Sequence, residues 1–207
     1  MPDIKLKNQN GIETTYEGIN SIKVPNTNGE YEEFFTASSA LGTINTWLSN
    51  NNGTESSGDN ITYTITPETC PIASEITAIR VLVRNRGLFY ENKRLVRANF
   101  PKCTYAVTYA FGSCTNLADY TDEEGNVTPG LIFGSKGTKF SNPGRYFIAN
   151  VPCTVRLYCD PTESWVTNHD TYSKGSGKIE FYDYITGEWH HTIDIDNGSS
   201  IITNPNI

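Results

Sequence analysis

Three histidines, His169, His190 and His191, are the residues best suited to carry a proton near neutral pH. Asp170 follows the first and Asp183 precedes the other two, so carboxylates that could orient an imidazole are at hand. A general base also needs a nucleophile within reach. Neighbours on a regular strand point to opposite faces, so His190 and His191 are not expected to serve one site. No GxSxG, HExxH, phosphate loop or dinucleotide glycine pattern occurs. The paired carboxylates of a glycoside hydrolase are set by distance in space and leave no mark in sequence. The chain therefore reads as a non-enzyme, with no catalytic residues and no cofactor.

Metal and disulfide chemistry read the same way. Cys70, Cys103, Cys114, Cys153 and Cys159 are odd in number and form no CxxC pair, so reduced, core-facing thiols are expected. Asp122, Glu123 and Glu124 precede Gly125 without the alternating oxygen ligands of a calcium loop, and a solvated turn is expected there. No metal site is predicted.

Two segments could bind rather than react. Asp160 to Lys178 holds Trp165, Asn168, His169, Asp170 and Tyr172 in one loop-like stretch. Aromatic platforms beside amide, carboxylate and hydroxyl groups suit sugars, so these five are the candidate ligand residues, with a host-surface glycan as the partner. From Arg80 to Lys102 seven basic residues, Arg80, Arg84, Arg86, Lys93, Arg94, Arg97 and Lys102, stand against Glu91 alone. Phe89, Tyr90 and Phe100 between them imitate a nucleic-acid platform. A net charge of −7 argues against general nucleic-acid binding. From Asp160 onward eight acidic residues face Lys174 and Lys178, so charge complementarity within or between subunits is the preferred reading. Arg84, Arg86, Arg94 and Arg97 become candidate interface residues.

The elements that must hold these residues read as strands. Cys103 to Phe111 alternates Cys103, Tyr105, Val107, Tyr109 and Phe111 with Thr104, Ala106, Thr108 and Ala110, and Val151 to Cys159 repeats the period of two. They predict two inner strands of an antiparallel sheet. Further strands are expected at Ile61 to Ile65 and Ile76 to Arg84. Ile179 to Ile185 and Glu188 to Ile195 should pair around Thr186-Gly187, with Trp189, His191 and Ile193 on the face of Ile179 and Phe181. Gly112 to Gly144 is a long connection of the kind that is often functional or mobile. Thr36 to Leu48 is the one helical pattern, and the apolar-free run from Ser49 to Asn60 is a linker. No apolar run approaches the roughly 20 residues that span a bilayer, and MPDIKLKNQN has no apolar core of a signal peptide, so neither membrane insertion nor secretion is expected.

The N-terminal 35 residues read as two small hairpins, around Asn10-Gly11 and Asn28-Gly29. The run IKLKNQNGIETTYEGINSIKVPNTNGEYEEF resembles the opening of accessory virion proteins of tailed bacteriophages, of the head-surface, head-fibre or tail-accessory type. That resemblance implies a docking N-terminal part followed by a β domain, assembly in the bacterial host cytoplasm, other virion proteins as partners, and a homo-oligomer. Hairpins this small are marginal alone. Ile4, Leu6, Tyr16, Ile22, Val24, Tyr31, Phe34 and Phe35 are therefore the expected docking residues.

The sequence thus predicts an all-β protein: a hairpin unit over residues 1–48, a linker over 49–58, and an antiparallel β-sandwich or jelly-roll over 59–207. Its expected role is a virion component that docks through the first part and presents the second. A carbohydrate-binding adhesion module is the alternative.

Overall fold

The computed structural model describes the backbone of Ile4–Lys7, Glu13–Tyr16, Lys23–Pro25 and Tyr31–Glu33, and then residues 62–79, 81–83, 86–87, 89–141 and 143–206. Contacts divide the chain into two compact units, Met1–Thr43 and Ile44–Ile207. In the first, Ile4–Lys7 pairs antiparallel with Glu13–Tyr16, and Lys23–Pro25 with Tyr31–Glu33. These are two hairpins in series, as the turn dipeptides imply. Ile22, Phe34 and Phe35 lie outside the described residues, as do the side chains of Ile4, Leu6, Tyr16, Val24 and Tyr31. The expected helix over 36–48 and the linker over 49–58 lie outside them too.

The second unit is all-β, but it is not the expected antiparallel sandwich or jelly-roll. It is a parallel β-solenoid of about four turns. Its main sheet runs through β1 (Tyr63–Ile65), β2 (Leu95–Phe100), β3 (Leu131–Phe133), β4 (Thr154–Cys159) and β5 (Lys178–Asp183), each parallel to the next. Only β6 (Trp189–Asp194) and β7 (Ser200–Thr203) return antiparallel, closing one end of the sheet. Register stacks Ile65, Ala98, Leu131, Val155 and Ile179 in one inward column, two steps of 33 residues followed by two of 24.

A second inward column holds Phe100, Phe133, Leu157 and Phe181. On the opposite wall Ala78–Ile79 pairs parallel with Tyr105–Ala106, and Ile148–Ala149 with Ser173–Lys174. Between the walls lie Phe89, Phe111, Phe140, Phe147 and Tyr172, all buried. Phe133 sits at the centre, its ring 5.3 to 6.0 Å from those of Phe100, Phe111, Phe140 and Phe147.

The same physics explains why half the strand expectation failed. Val151 to Cys159 alternates in burial as predicted, because both a sandwich strand and a solenoid rung bury every second residue. Cys103 to Phe111 does not alternate. Only Tyr105–Ala106 is a strand, Ala106 and Ala110 are fully buried, and Tyr105 and Tyr109 are half-exposed. Tyr109 has φ +56°, a left-handed residue that turns the chain, and Tyr146 in the next rung has the same value. Their rings lie tilted against each other with centres 5.5 Å apart, so the corner is a ladder of turns. At Gly144 an added Cβ would strike the backbone of Val107 and Thr108, which is why the closest approach of two rungs carries no side chain.

A candidate ligand cleft on the outer face

On β2, Ala98 and Phe100 fill the core, so Arg97 and Asn99 must point outward. Asn99 lies beside Ile132 of β3, and Arg97 beside Thr64 of β1. Thr66, Ile132 and Pro129 join them in lining an open cleft of about 250 Å³. On one side stands the turn after β1, fixed by the bond from the Thr66 N–H to the Thr69 hydroxyl at 3.0 Å. That turn carries Glu68. On the other side stands a hairpin in which Tyr120–Thr121 pairs with Val127–Thr128, and Tyr120 and Thr128 complete the lining.

The hairpin is an insertion in the solenoid. The Ser113 N–H donates to the Ala149 carbonyl of the next rung, which makes Ser113 equivalent to Asn150, both with positive φ. Ser113 to Leu131 covers eighteen residues, whereas Asn150 to Val155 covers five. The extra thirteen residues contain the hairpin. Asp119 anchors its base: one carboxylate oxygen accepts from the backbone N–H groups of Gly130 at 2.9 Å and Thr154 at 2.8 Å, the other from the Thr154 hydroxyl at 2.7 Å. At its tip Asp122 accepts from the backbone and side chain of Asn126, which holds its carboxyl below the usual carboxylate range.

Two polar atoms of cleft-lining residues, Arg97 Nε and Asn99 Oδ1, are buried beneath its surface without a partner among the described residues. A buried unsatisfied donor or acceptor costs about 1–3 kcal/mol, a local cost that falls on two outward positions of β2. The Arg97 guanidinium lies 4.7 Å from the centre of the Tyr120 ring, which is itself half-exposed. Glu68 stays ionised below the usual carboxylate range, held by the Thr66 hydroxyl, by its own backbone N–H and by the charge of Arg97.

The residues predicted to bind sugar do not converge. Trp165, on the one-turn helix Ser164–Thr167, packs its ring 5.5 Å from Tyr172 and 6.3 Å from Phe140, and its indole N–H donates to Glu163. Tyr172 is buried, its hydroxyl facing the Val166 carbonyl at 3.5 Å, and burial raises its pKa. Neither offers a free aromatic face. Asn168 and Asp170 are exposed, and His169 meets Asp170 at 3.4 Å beside Ser173.

Of the basic candidates, Arg97 lines the cleft, whereas Arg94 is buried beside Asn92, whose side chain accepts from the N–H groups of residues 94 and 95. Arg84 and the side chain of Arg86 lie outside the described residues. No ion pair among the described residues joins the 80–102 segment to the acidic one. Lys102 meets Glu75 at 3.8 Å, and Arg156 meets Glu180 at 2.8 Å.

The histidine pair departs from the regular-strand expectation. Phe181 faces His191 but Tyr182 faces Trp189, a bulge that leaves His190 unpaired and moves Trp189 to the outer face. It brings the two Nδ1 atoms to 2.8 Å, so one of them carries the hydrogen and donates. The His191 ring stacks on Phe181 at 4.5 Å, and burial with the neighbouring His190 lowers its pKa to about 4. Among the described residues no group of three or more His, Cys, Asp or Glu could hold a metal ion. All five cysteines are buried and none is joined in a disulfide, and burial pushes the Cys103 and Cys159 thiols up to about 12.

The sequence pointed to Arg97 as an interface residue and to Gly112 to Gly144 as a long connection of a kind often functional or mobile, but Asn99, Glu68 and Tyr120 were missed. Asn99 carried one signal, an outward polar residue on a strand of apolar neighbours. Comparison with protein-family models, with curated proteins and with solved structures finds no match to this chain.

Proposed function

We propose that the protein is a non-enzymatic adhesion component of a tailed-phage particle, docking through its N-terminal hairpin unit and binding a surface ligand in the cleft around Arg97. The observation that carries the binding part is the open cleft of about 250 Å³, with Arg97, Asn99 and Glu68 in its lining beside the half-exposed Tyr120 ring. A concave surface that sets polar side chains beside an aromatic ring supports a recognition role. Its described lining carries one carboxylate, Glu68, whose lowered pKa makes it a poor proton carrier at neutral pH, whereas glycoside hydrolysis needs two carboxyl groups. The docking part is supported by the two hairpins in series and by the resemblance of that run to phage accessory proteins.

Retention of immobilised protein by host-surface polysaccharide tests the binding half. The double variant Arg97→Ala, Asn99→Ala is expected to lose retention, while Trp165→Phe keeps it. Retention unchanged in the double variant removes the cleft from this reading. Deleting residues 1–43 is expected to leave retention intact and to abolish incorporation into particles; a truncated protein that still incorporates docks by another surface.

A further inference from the structure

Asn-Gly dipeptides occur four times in the chain, and one of them, Asn197-Gly198, lies among the described residues. Both residues are exposed, in the turn that joins β6 to β7. We propose that this is a site of spontaneous deamidation, restrained in the folded chain by Asp194, and that its product loosens the antiparallel end of the sheet.

The reaction needs no enzyme. The Gly198 backbone nitrogen attacks the carbonyl carbon of the Asn197 side chain, forming a new N–Cγ bond. The Cγ–Nδ2 bond breaks, and Nδ2 leaves as ammonia with the proton of the Gly198 N–H. Water then opens the cyclic imide at either carbonyl, which leaves aspartate or isoaspartate. Glycine suits the attacking position because no side chain shields its nitrogen, and Gly198 has φ +67°, which other residues adopt only at a cost. Its N–H makes no hydrogen bond among the described residues, so the nucleophile is uncommitted.

The leaving group, by contrast, is held. Asn197 donates to both oxygens of Asp194, from its backbone N–H at 3.3 Å and from Nδ2 at 2.9 Å. This pair keeps the carboxamide toward the chain before it, whereas the attacking nitrogen belongs to the chain after it. Attack therefore waits for a local opening that breaks the Nδ2 bond. Asp194 is buried and meets Lys178, its partner across the β5–β6 register, at 3.3 Å. Asp196 is a second carboxylate in the turn, accepting from the Gly177 N–H at 3.1 Å. Conversion replaces the Asn197 donor by a third carboxylate facing Asp194, where Lys178 is already engaged. The buried Asp194 then loses an accepted bond and gains a like charge. Asp194 lies opposite Ser200, the first residue of β7, so the disturbance falls on the pairing that holds β7.

Peptide mass spectrometry of the full chain, incubated native and in guanidinium chloride at mildly alkaline pH, tests the proposal. Asn197 is expected to convert in the native chain, at least threefold more slowly than in the unfolded one. Asp194→Ala should remove most of that protection, whereas Asp196→Ala, which loosens the same turn without taking a partner from Asn197, should keep it. No conversion in the native chain while the unfolded chain converts fully overturns the site. Equal native and unfolded rates, or equal acceleration by the two variants, overturn the role of Asp194. Asn197→Asp reproduces the product's charge, and Asn197→Ala removes the same donor without it. Amide exchange over Ser200–Thr203 should quicken at least threefold more in the first than in the second; equal exchange in both overturns the loosening by charge.

Discussion

Replacing Phe133 by alanine separates the solenoid from an antiparallel sandwich built on Cys103 to Phe111. Phe133 is fully buried, and its ring is tilted or edge-on to four others within 6.0 Å. Truncating a buried phenylalanine costs about 3–5 kcal/mol. Aromatic pairs add about 0.5–1.5 kcal/mol each beyond area, so four of them place Phe133→Ala at the upper end of that range. A domain is stable by about 5–15 kcal/mol, so one substitution removes a third or more of the margin. Tyr105, a core residue in the sandwich, is half-exposed at a corner here. Tyr105→Ala should cost about 1 kcal/mol or less.

Urea unfolding followed by circular dichroism and by tryptophan fluorescence measures both changes. Each rung of a solenoid is held by its neighbours, so damage at β3 weakens the coupling between the rungs on either side. Trp165 and Trp189 both follow β3 in the chain, so in a Trp47→Phe background fluorescence reports the later rungs while circular dichroism reports all of them. Phe133→Ala is expected to pull the two transitions apart. A loss under about 1.5 kcal/mol, or a Tyr105→Ala loss as large as that of Phe133→Ala, refutes the assigned core.

Three further outcomes follow from the same structure. His191 is held neutral with its pKa near 4 while the unfolded chain binds a proton near 6.5, so stability should fall as pH drops from about 6.5 toward 4, by at most about 1.4 kcal/mol per unit. His191→Phe keeps a ring on Phe181 and should flatten that slope; an unchanged slope assigns the titration elsewhere. Native protein should show no rapidly reacting thiol, and unfolded protein all five, as Ellman titration measures; a native thiol that reacts within seconds contradicts the burial of the cysteines. Asp119→Ala removes three accepted bonds and should cost about 1–2 kcal/mol. Amide exchange over Tyr120 to Thr128 should quicken while β4 and β5 keep their protection, and equal loss in both would make Asp119 a support of the whole stack.

The all-β character was legible because alternation, β-branched residues and turn dipeptides act locally. A strand from Val151 to Cys159 was predicted from period alone, and Thr154–Cys159 within it is β4. The inward pairing of Ile179 and Phe181 with Ile193 and His191 followed from burial. What period cannot encode is the partner. Val155 alternates identically whether its neighbour is Leu131 running parallel or a strand running the other way. Trp189 escaped because a single bulge reverses the face of every residue beyond it. Tyr109 escaped because its left-handed φ is imposed by the stacked corner above Tyr146, against the local preference of a tyrosine.

The cleft was illegible for a related reason, one that bears on what kind of site it is. Its residues come from Glu68, Asn99 and Tyr120, three separate stretches of chain brought together by the register of β1, β2 and β3 and by one inserted hairpin. Rungs of 33 and 24 residues stack equally well, because only the inward columns have to match while the connections vary. A solenoid can thus gain a wall on its outer face without disturbing its core, provided that the base of the insertion is tied down. Asp119 supplies that tie through the next rung at Thr154, rather than through the cleft itself. The hairpin beyond it, from Tyr120 to Thr128, can then change length or sequence while Arg97 and Asn99 stay fixed on β2. Exchanging the turn between Asp122 and Asn126 for a shorter one should accordingly alter which polysaccharide is retained and leave the unfolding midpoint within experimental error. A marked loss of stability would show that the hairpin belongs to the core, and that the cleft is a gap left by packing.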